Sequence, residues 1–274
     1  MHVNREDETR LWNAKADLAV SYIQGERYGD AGAIMEEAVL QYRRWGTEAE
    51  YPFEHAKWFN HYAFVRLWQG RPREAIDMAR HGVKLQADAC GIDGSLTFMK
   101  RFFLGHMLYI AGKMDEALQV IRLVLDDQIK ILGESSFYTL QSMAFYGLLQ
   151  YQINNYDEAE YAIQAHIQRS WINFCFRKQL RACLRIAVKS DWYPTHIARI
   201  QFYLGCALRH KNSIKEADEL EAVSFEFRDE MLRLFPHILK ISQANQKSVF
   251  DQFVPFMCGR LTGKLVSRYR TQVT

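Results

Sequence analysis

Proline and glycine are scarce in this chain, which has only 5 prolines and 15 glycines among 274 residues. Because β-sandwiches and β-barrels need a turn after every short strand, this scarcity argues against them and favours long helices. Hydrophobic residues make up 49% of the chain, enough to bury a sizeable core and too many for a disordered protein. The sequence therefore predicts an all-α globular fold.

Neither net charge nor hydropathy indicates a nucleic acid or a membrane as a partner. The chain has 35 basic and 32 acidic residues, and a net charge of +3 is too small to predict a nucleic-acid-binding face. The longest uncharged run, residues 135–156, contains glutamines and asparagines that are costly in a bilayer. Residues 1–10 are highly charged and lack the apolar core of a signal peptide. We expect neither kind of partner.

The sequence also lacks recognisable motifs for catalysis, metal binding and cofactor binding. The 5 cysteines are scattered and form no C-x-x-C pair, which is typical of a reduced, cytoplasmic protein. The 9 histidines are dispersed, and the six-residue separation of His55 from His61 does not suit two ligands on one helix face. No phosphate-binding, dinucleotide or hydrolase motif is complete. The sequence therefore predicts no metal and no cofactor.

One block recurs five times: a small residue, then an alanine twelve residues later. The pairs are Ala19 and Ala31, Ala63 and Ala75, Gly105 and Ala117, Gly147 and Ala159, and Gly205 and Ala217. The alanines follow one another at intervals of 44, 42, 42 and 58 residues. Small side chains on two consecutive helices allow an antiparallel pair to approach closely. The pattern therefore predicts an array of helical hairpins.

The pattern resembles tetratricopeptide repeats (TPR), whose ordinary length is about 34 residues. The longer spacing is similar to that of the kinesin light chain subgroup, and residues 132–133, 139–140 and 156–160 match that subgroup's signatures. Gly91, Thr97 and Gly105 repeat the leader register one copy earlier. The resemblance implies a right-handed α-solenoid of about five hairpins over residues 7–233. It also implies a groove lined by the first helix of each hairpin.

Two segments depart from the regular array. The interval of 58 residues predicts one inserted helix at about residues 170–190. Basic residues spaced by four would form a stripe on one face of this helix: Arg177, Arg181, Arg185 and Lys189. The stripe is either a docking face for an acidic partner or a solvated outer face. Residues 234–274 are predicted to form capping helices, which cover the apolar end of the array, and a basic tail.

The predicted groove is unusually aromatic for an exposed surface. Among the groove asparagines that the resemblance implies, only Asn60 is present. The full predicted set is Asn60, Phe64, Trp68, Phe102, His106, Tyr109, Tyr151 and Arg209. Because exposed apolar patches with polar rims mark binding sites, this set is the candidate binding groove.

Two interpretations of the groove remain open. In the first, the chain is a non-catalytic protein–protein interaction module that binds a peptide or helix in the aromatic groove. In the second, the solenoid closes around an apolar pocket for a small molecule. As an unorthodox enzyme, it would then use the side chains that can polarise or protonate a ligand: His61, His106, Tyr109, Tyr151 and Arg209. The sequence favours the first interpretation and names no partner.

Overall fold

A computed structural model describes residues 5–46, 48–153, 188, 193–210, 212–234, 249–251 and 253–254. This part of the chain contains α-helices and turns and no strand, so the predicted all-α class is confirmed. The helices are α1 (Arg5–Gln24), α2 (Tyr28–Trp45), α3 (Pro52–Trp68), α4 (Pro72–Cys90), α5 (Ser95–Ile110), α6 (Met114–Leu132), α7 (Phe137–Gln152), α8 (Pro194–Arg209) and α9 (Ile214–Leu234).

The same turn joins the helices of every hairpin whose turn lies in the described ranges. A left-handed residue follows the end of the first helix: Glu26 (φ 58°), Gly70 (φ 78°), Gly112 (φ 78°) and Asn212 (φ 57°). In the second hairpin, the N–H of Gly70 donates to the carbonyl of Leu67 at 3.0 Å, and that of Arg71 donates to the carbonyl of Arg66 at 2.9 Å. These are the two bonds of a Schellman motif, and the equivalent pairs recur in the other three turns. The predicted repeat register is therefore present in the backbone.

The marker residues lie where paired helices touch. All of those in the described ranges are buried, whereas Ala159 lies outside them. A Cβ atom added to Gly205 would lie 3.3 Å from the carbonyl oxygen of Ala217 and 2.7 Å from Cγ of Glu221. Because no side chain fits in that space, α8 and α9 pack at this point with backbone against backbone.

Helices adjacent in sequence pack on one another, as expected of a repeat array. The helix pairs α1–α2, α3–α4 and α8–α9 form hairpins, and α2 also packs on α3 and α4 on α5. The described residues divide into two compact units, the first up to Val120 and the second from Ile121 onward. The boundary falls within α6.

A short C-terminal segment, of which the structure describes residues 249–251 and 253–254, packs on α8 and α9 within the second unit. The ring of Phe250 stacks on that of Phe202 with their centroids 4.5 Å apart. Asp251 Oδ2 accepts a hydrogen bond from the hydroxyl of Tyr203 at 3.1 Å, and its Oδ1 lies 3.1 Å from Nε of Arg199. Both members of this ion pair are buried, so the pair fixes the segment on the last hairpin.

Two predicted segments depart from the regular array, the inserted helix and the C-terminal cap with its tail. Most of their residues lie outside the described ranges. Only Val188 represents the inserted helix predicted at 170–190. The second helix of the fourth hairpin, which would follow α7, is also outside the described ranges. Of the predicted cap and tail at 234–274, the structure describes Leu234 and the short segment on α8 and α9. These assignments remain predictions.

Gly70→Ala is expected to lower the free energy of unfolding by about 1–2 kcal/mol, because a Cβ atom strains the left-handed conformation. Gly29→Ala is the matched control, since Gly29 lies inside α2 and its nearest new contact would be 3.8 Å away. Urea denaturation should show no loss for this control. Equal losses in the two variants would contradict the role of the turn.

Asp251→Asn is expected to destabilise the protein by about 3–5 kcal/mol, because it leaves the buried charge of Arg199 uncompensated. Glu37→Gln breaks the exposed ion pair with Lys15, which spans 3.0 Å, and serves as the control. Exposed pairs contribute at most about 1 kcal/mol. A thermal melt in which both variants behave alike would show that the Asp251 pair does not hold the segment.

Candidate binding site

Asn60, the one groove asparagine, lies at the interface between α3 and α4. Its side chain is fully buried, and its Nδ2 donates to the carbonyl oxygen of Ala56 at 3.0 Å. A Cβ atom added to Gly82 of α4 would lie 3.2 Å from this nitrogen. The structure therefore places Asn60 against the partner helix of its own hairpin, instead of at the surface of an open groove.

Four predicted groove residues of the first unit are also buried, contrary to their expected exposure. Phe64, Phe102, His106 and Tyr109 are exposed by 0%, 2%, 0% and 4%. The ring of Phe64 lies 5.9 Å from that of His106 and 6.4 Å from that of Phe103. The reason is that α3 and α5 lie close enough for their large aromatic side chains to bury their area against each other. These side chains form core, and their role in binding remains a prediction.

Trp68 is the predicted aromatic anchor that the structure leaves accessible. It lies at the end of α3, and 37% of it is exposed. Its ring centroid is 6.3 Å from that of Tyr28, at the start of α2. Trp68 therefore offers an aromatic face at the junction of the first two hairpins.

The two predicted site residues of the second unit are held by internal partners. Tyr151 is buried, and its ring meets that of Tyr203 edge to face at 5.3 Å. Arg209 donates to Glu221 at 3.0 Å and to Asp218 at 2.6 Å. Hydrogen bonds to Glu221 first, and then to Asp218, raise the pKa of Arg209 above its ordinary value. The guanidinium of Arg209 thus ties α9 to the end of α8.

The remaining sequence predictions concern the basic stripe, metal binding and membrane spans. The basic stripe (Arg177, Arg181, Arg185 and Lys189) lies outside the described residues and stays a prediction. In the ranges that the structure describes, no three His, Cys, Asp or Glu side chains converge as metal ligands. No helix in those same ranges combines the length and the apolar character that crossing a bilayer requires.

The first unit contains a cavity of about 620 Å³ that the groove prediction missed. We call it the α2–α4 cavity, because α2, α3, α4 and the loop after α2 line it. Its aromatic lining comes from Trp58, Phe59 and Tyr62 of α3. Its acidic lining comes from Glu36, Glu48, Glu74 and Asp77. The volume falls within the range typical of ligand sites, about 300–1,000 Å³.

The electrostatic character of the α2–α4 cavity is negative. Among the described residues that line it, Arg66 is the one arginine or lysine, and it is already engaged. Its guanidinium lies 4.4 Å from the ring centroid of Tyr62 and donates to Oε1 of Gln69 at 2.6 Å. Burial, and secondarily the charge of Glu36, raises the pKa of Tyr62 above its ordinary value. In the lining of the cavity, which includes the aromatic side chains of α3, acidic groups therefore outnumber basic ones.

The four carboxylates of the cavity differ in their partners. Glu74 pairs with Arg71, and Oε2 of Glu48 lies 2.6 Å from Nε2 of His81. Glu36 has neutral partners, since its Oε1 accepts a hydrogen bond from the amide of Gln69 at 3.3 Å and its carboxylate also hydrogen-bonds with Tyr62. Asp77 lies 3.9 Å from the guanidinium of Arg80, too far for a strong hydrogen bond. Glu36 and Asp77 therefore keep the most capacity to bind an added cation.

The sequence contained a signal for this cavity on a different face of α3. The groove register selected positions 57, 60, 64 and 68. The cavity uses Trp58, Tyr62 and Arg66, which are spaced by four and therefore share another face of the helix. Their spacing is visible in the sequence, but the acids that face them come from other elements.

A second cluster lies where α3 packs on α5, and the sequence did not bring its members together. We call it the basic cluster: Lys57 and His61 of α3 with Lys100 of α5. Burial, and secondarily the charge of Lys57, lowers the pKa of Lys100 to about 8. Burial, with added repulsion from Lys100 and Lys57, lowers the pKa of His61 well below its ordinary value. A pKa of about 8 leaves Lys100 mostly protonated at neutral pH.

Comparison with known proteins supports the fold. No family model and no curated protein sequence matches the chain. Among solved structures, BtubC (BKLC) from P. vanneervenii is similar over 82% of this chain and 84% of its own, with a TM-score of 0.63 and 14% identity. Nearly identical TPR-like repeats of a putative kinesin light chain from Podosopora anserina are similar over 81% of this chain and 96% of theirs, with a TM-score of 0.56 and 18% identity. A variant of those repeats is similar over 85% of this chain and 100% of its own, with a TM-score of 0.59 and 17% identity.

These similarities confirm the expected fold. The chain has the all-α solenoid fold of TPR-like hairpins, as the repeat spacing predicted. Identities of 14–18% extend the likeness no further than the fold. The fold provides a repeat scaffold of the kind that proteins use for interaction.

Phe64→Ala is expected to cost about 3–5 kcal/mol of unfolding free energy, because it empties a fully buried position in the core. Trp68→Ala is expected to cost at least about 2 kcal/mol less, since much of Trp68 already faces solvent. Urea denaturation of the two variants measures the difference. A larger loss for Trp68→Ala would show that Phe64, and not Trp68, is the accessible side chain.

Proposed function

We propose that this chain is a non-catalytic protein-interaction module that docks a segment of another protein in the α2–α4 cavity. The observation that carries the proposal is the combination of a 620 Å³ volume, an aromatic wall and four carboxylates in one concave site. Binding sites in proteins are concave and mostly apolar, with a few placed polar groups. The TPR-like scaffold supports an interaction function without specifying the partner.

The charge of the cavity favours a cationic side chain as its occupant. An arginine of a partner segment would lie against the half-buried ring of Phe59 and pair with Glu36 or Asp77. A cation over an aromatic face contributes roughly 0.5–1 kcal/mol at exposed sites and more where water is excluded. Arginine fits better than lysine, because its planar group both stacks on a ring and forms paired hydrogen bonds with a carboxylate.

The proposed function is the protein interaction predicted from the sequence, but at the α2–α4 cavity instead of the aromatic groove. Burial of Phe64, Phe102, Tyr109 and Tyr151 leaves little of the predicted aromatic groove accessible. Trp68 is retained as a contact for the flanking residues of a bound segment, because it is exposed beside the start of α2. The docking site is thus proposed on the cavity face of α3.

A small cationic molecule is the second candidate occupant. The volume of about 620 Å³ suits a ligand of modest size as well as a side chain. This candidate retains the small-molecule interpretation of the sequence without a catalytic step. Native mass spectrometry of the purified protein distinguishes it, because a co-purified amine would add a discrete mass.

We also propose that the chain works in the cytoplasm. The proposal rests on the scattered cysteines, of which Cys90 forms no disulfide bond within the described part of the chain. Reduced thiols are typical of that compartment. Imaging of a fluorescent fusion in its native cell would test the location.

A peptide array tests the proposed function, with arginine, lysine, glutamate and leucine exchanged at one central position. Arginine peptides should bind best. The double variant Glu36→Gln with Asp77→Asn should then weaken the best peptide by about tenfold in fluorescence anisotropy, since each lost exposed ion pair contributes up to about 1 kcal/mol.

Glu37→Gln is the matched control for this measurement. Glu37 follows Glu36 on α2, but it pairs with Lys15 and does not line the cavity. Its removal should leave the affinity unchanged. A preference for glutamate peptides, or a double variant that binds as tightly as the control, would refute docking in this cavity.

A further inference from the structure

Lys100 is buried at a register position where the other repeats carry no charge. It precedes Gly105 by five residues, and only 4% of it is exposed. The residues at the same position in the other copies are Ala14, Trp58, Ser142 and Ile200. An ammonium group taken out of water lowers stability unless an opposite charge or hydrogen-bond acceptors balance it. The buried charge of Lys100 therefore lowers stability for as long as no partner balances it.

Two side chains of α3 share the surroundings of Lys100. Lys57 and His61 are four residues apart and lie on one face of the helix. Only 8% of His61 is exposed, and its Nδ1 atom is buried without a hydrogen-bond partner. His61 and Lys100 each lie one helical turn before the rings of Phe64 and Phe103, which are buried with their centroids 6.4 Å apart where α3 packs on α5. The cluster thus contains a buried imidazole nitrogen with unused hydrogen-bonding capacity beside a buried lysine.

The chain supplies little negative charge to this cluster. Lys57 pairs with Asp17, whose Oδ1 atom lies 3.2 Å from Nζ and whose side chain is largely exposed. Lys100 forms no ion pair or hydrogen bond with another residue in the described ranges. One buried positive charge therefore lacks a counter-charge within this part of the protein.

We propose that Lys57, His61 and Lys100 form a binding site for a single carboxylate group supplied from outside the chain. A carboxylate accepts hydrogen bonds from lysine ammonium groups and from an imidazole N–H, which are the donors present. A monoanion balances the single uncompensated charge, whereas a phosphate dianion exceeds it. The carboxylate belongs either to an acidic residue of a peptide or to a free small acid, and the recognising chemistry is the same.

This site is separate from the α2–α4 cavity, since none of its three residues lines that cavity. Its existence therefore does not depend on the proposed function. A peptide that binds the cavity through an arginine and the basic cluster through a carboxylate would contact two different faces of α3.

Thermal melts in sodium acetate and in sodium chloride of equal ionic strength test the site. Acetate in about tenfold excess over its Kd should raise the Tm of the wild-type chain by about 2–4 °C. Lys100→Met should abolish this rise. In chloride alone, Lys100→Met should melt above the wild type, because an apolar side chain replaces a buried charge. Lys130→Met, an exposed change on α6, is the control that retains the acetate response.

A second readout uses the His61 ring directly and does not need the Lys100 variant to fold. In NMR spectra of the full chain, acetate should shift the ring nitrogen resonances of His61 and raise its pKa, and Lys57→Gln should weaken the response. A short blocked polyglutamate peptide is tested in parallel. A response to acetate identifies a free acid as sufficient, whereas a response to the peptide alone identifies a peptide source; both support the site.

Three results would overturn the proposal. The first is an equal rise in Tm for the wild type and Lys100→Met. The second is a His61 resonance that neither acetate nor the polyglutamate peptide displaces. The third is a larger effect of inorganic phosphate than of acetate at the same ionic strength, which would assign the site to a different class of anion.

Discussion

The close contact between the two helices of a hairpin is the constraint on which the rest of this structure depends. Gly205 shows it most directly, because a Cβ atom there would lie 3.3 Å from the backbone of α9. Such contacts bring helices to backbone distance, and the Schellman turns fix where each second helix begins. Together they set which residues of each helix face a neighbour and which face solvent.

The third helix illustrates how completely the packing uses a helix surface. Asn60 faces α4, Phe64 faces α5, and Tyr62 lines the α2–α4 cavity. His61 lies next to these residues in sequence but belongs to the basic cluster. A helix surrounded in this way divides its residues among four environments within a little more than one turn. Adjacent residues of α3 can therefore serve an acidic cavity and a basic cluster without neutralising each other.

Much of the fold was predictable from the sequence, and little of the candidate site was. Ala63 and Ala75 lie on the two helices of one hairpin, only twelve residues apart. The close packing that they allow is therefore visible as a short-range pattern in the sequence. Exposure of Phe64 depends instead on how close α5 comes, and α5 begins almost 30 residues after α3 ends. The sequence correctly placed Phe64 on the first helix of its hairpin and wrongly expected it to face solvent. The burial of Lys100 was equally unpredictable, because the neighbouring residues in the sequence do not distinguish a buried lysine from an exposed one.

The sequence by itself determined the helical class, the register of the repeats and the TPR-like hairpin, because each rests on spacing between residues of the same or consecutive helices. Only the tertiary structure decided that most of the aromatic set is core, that an acid-lined cavity lies between α2, α3 and α4, and that His61 and Lys100 are buried. The physical reason is that burial and electrostatic environment depend on atoms brought together from different hairpins. Those distances are set by packing between helices, and the spacing of residues within one helix does not contain them.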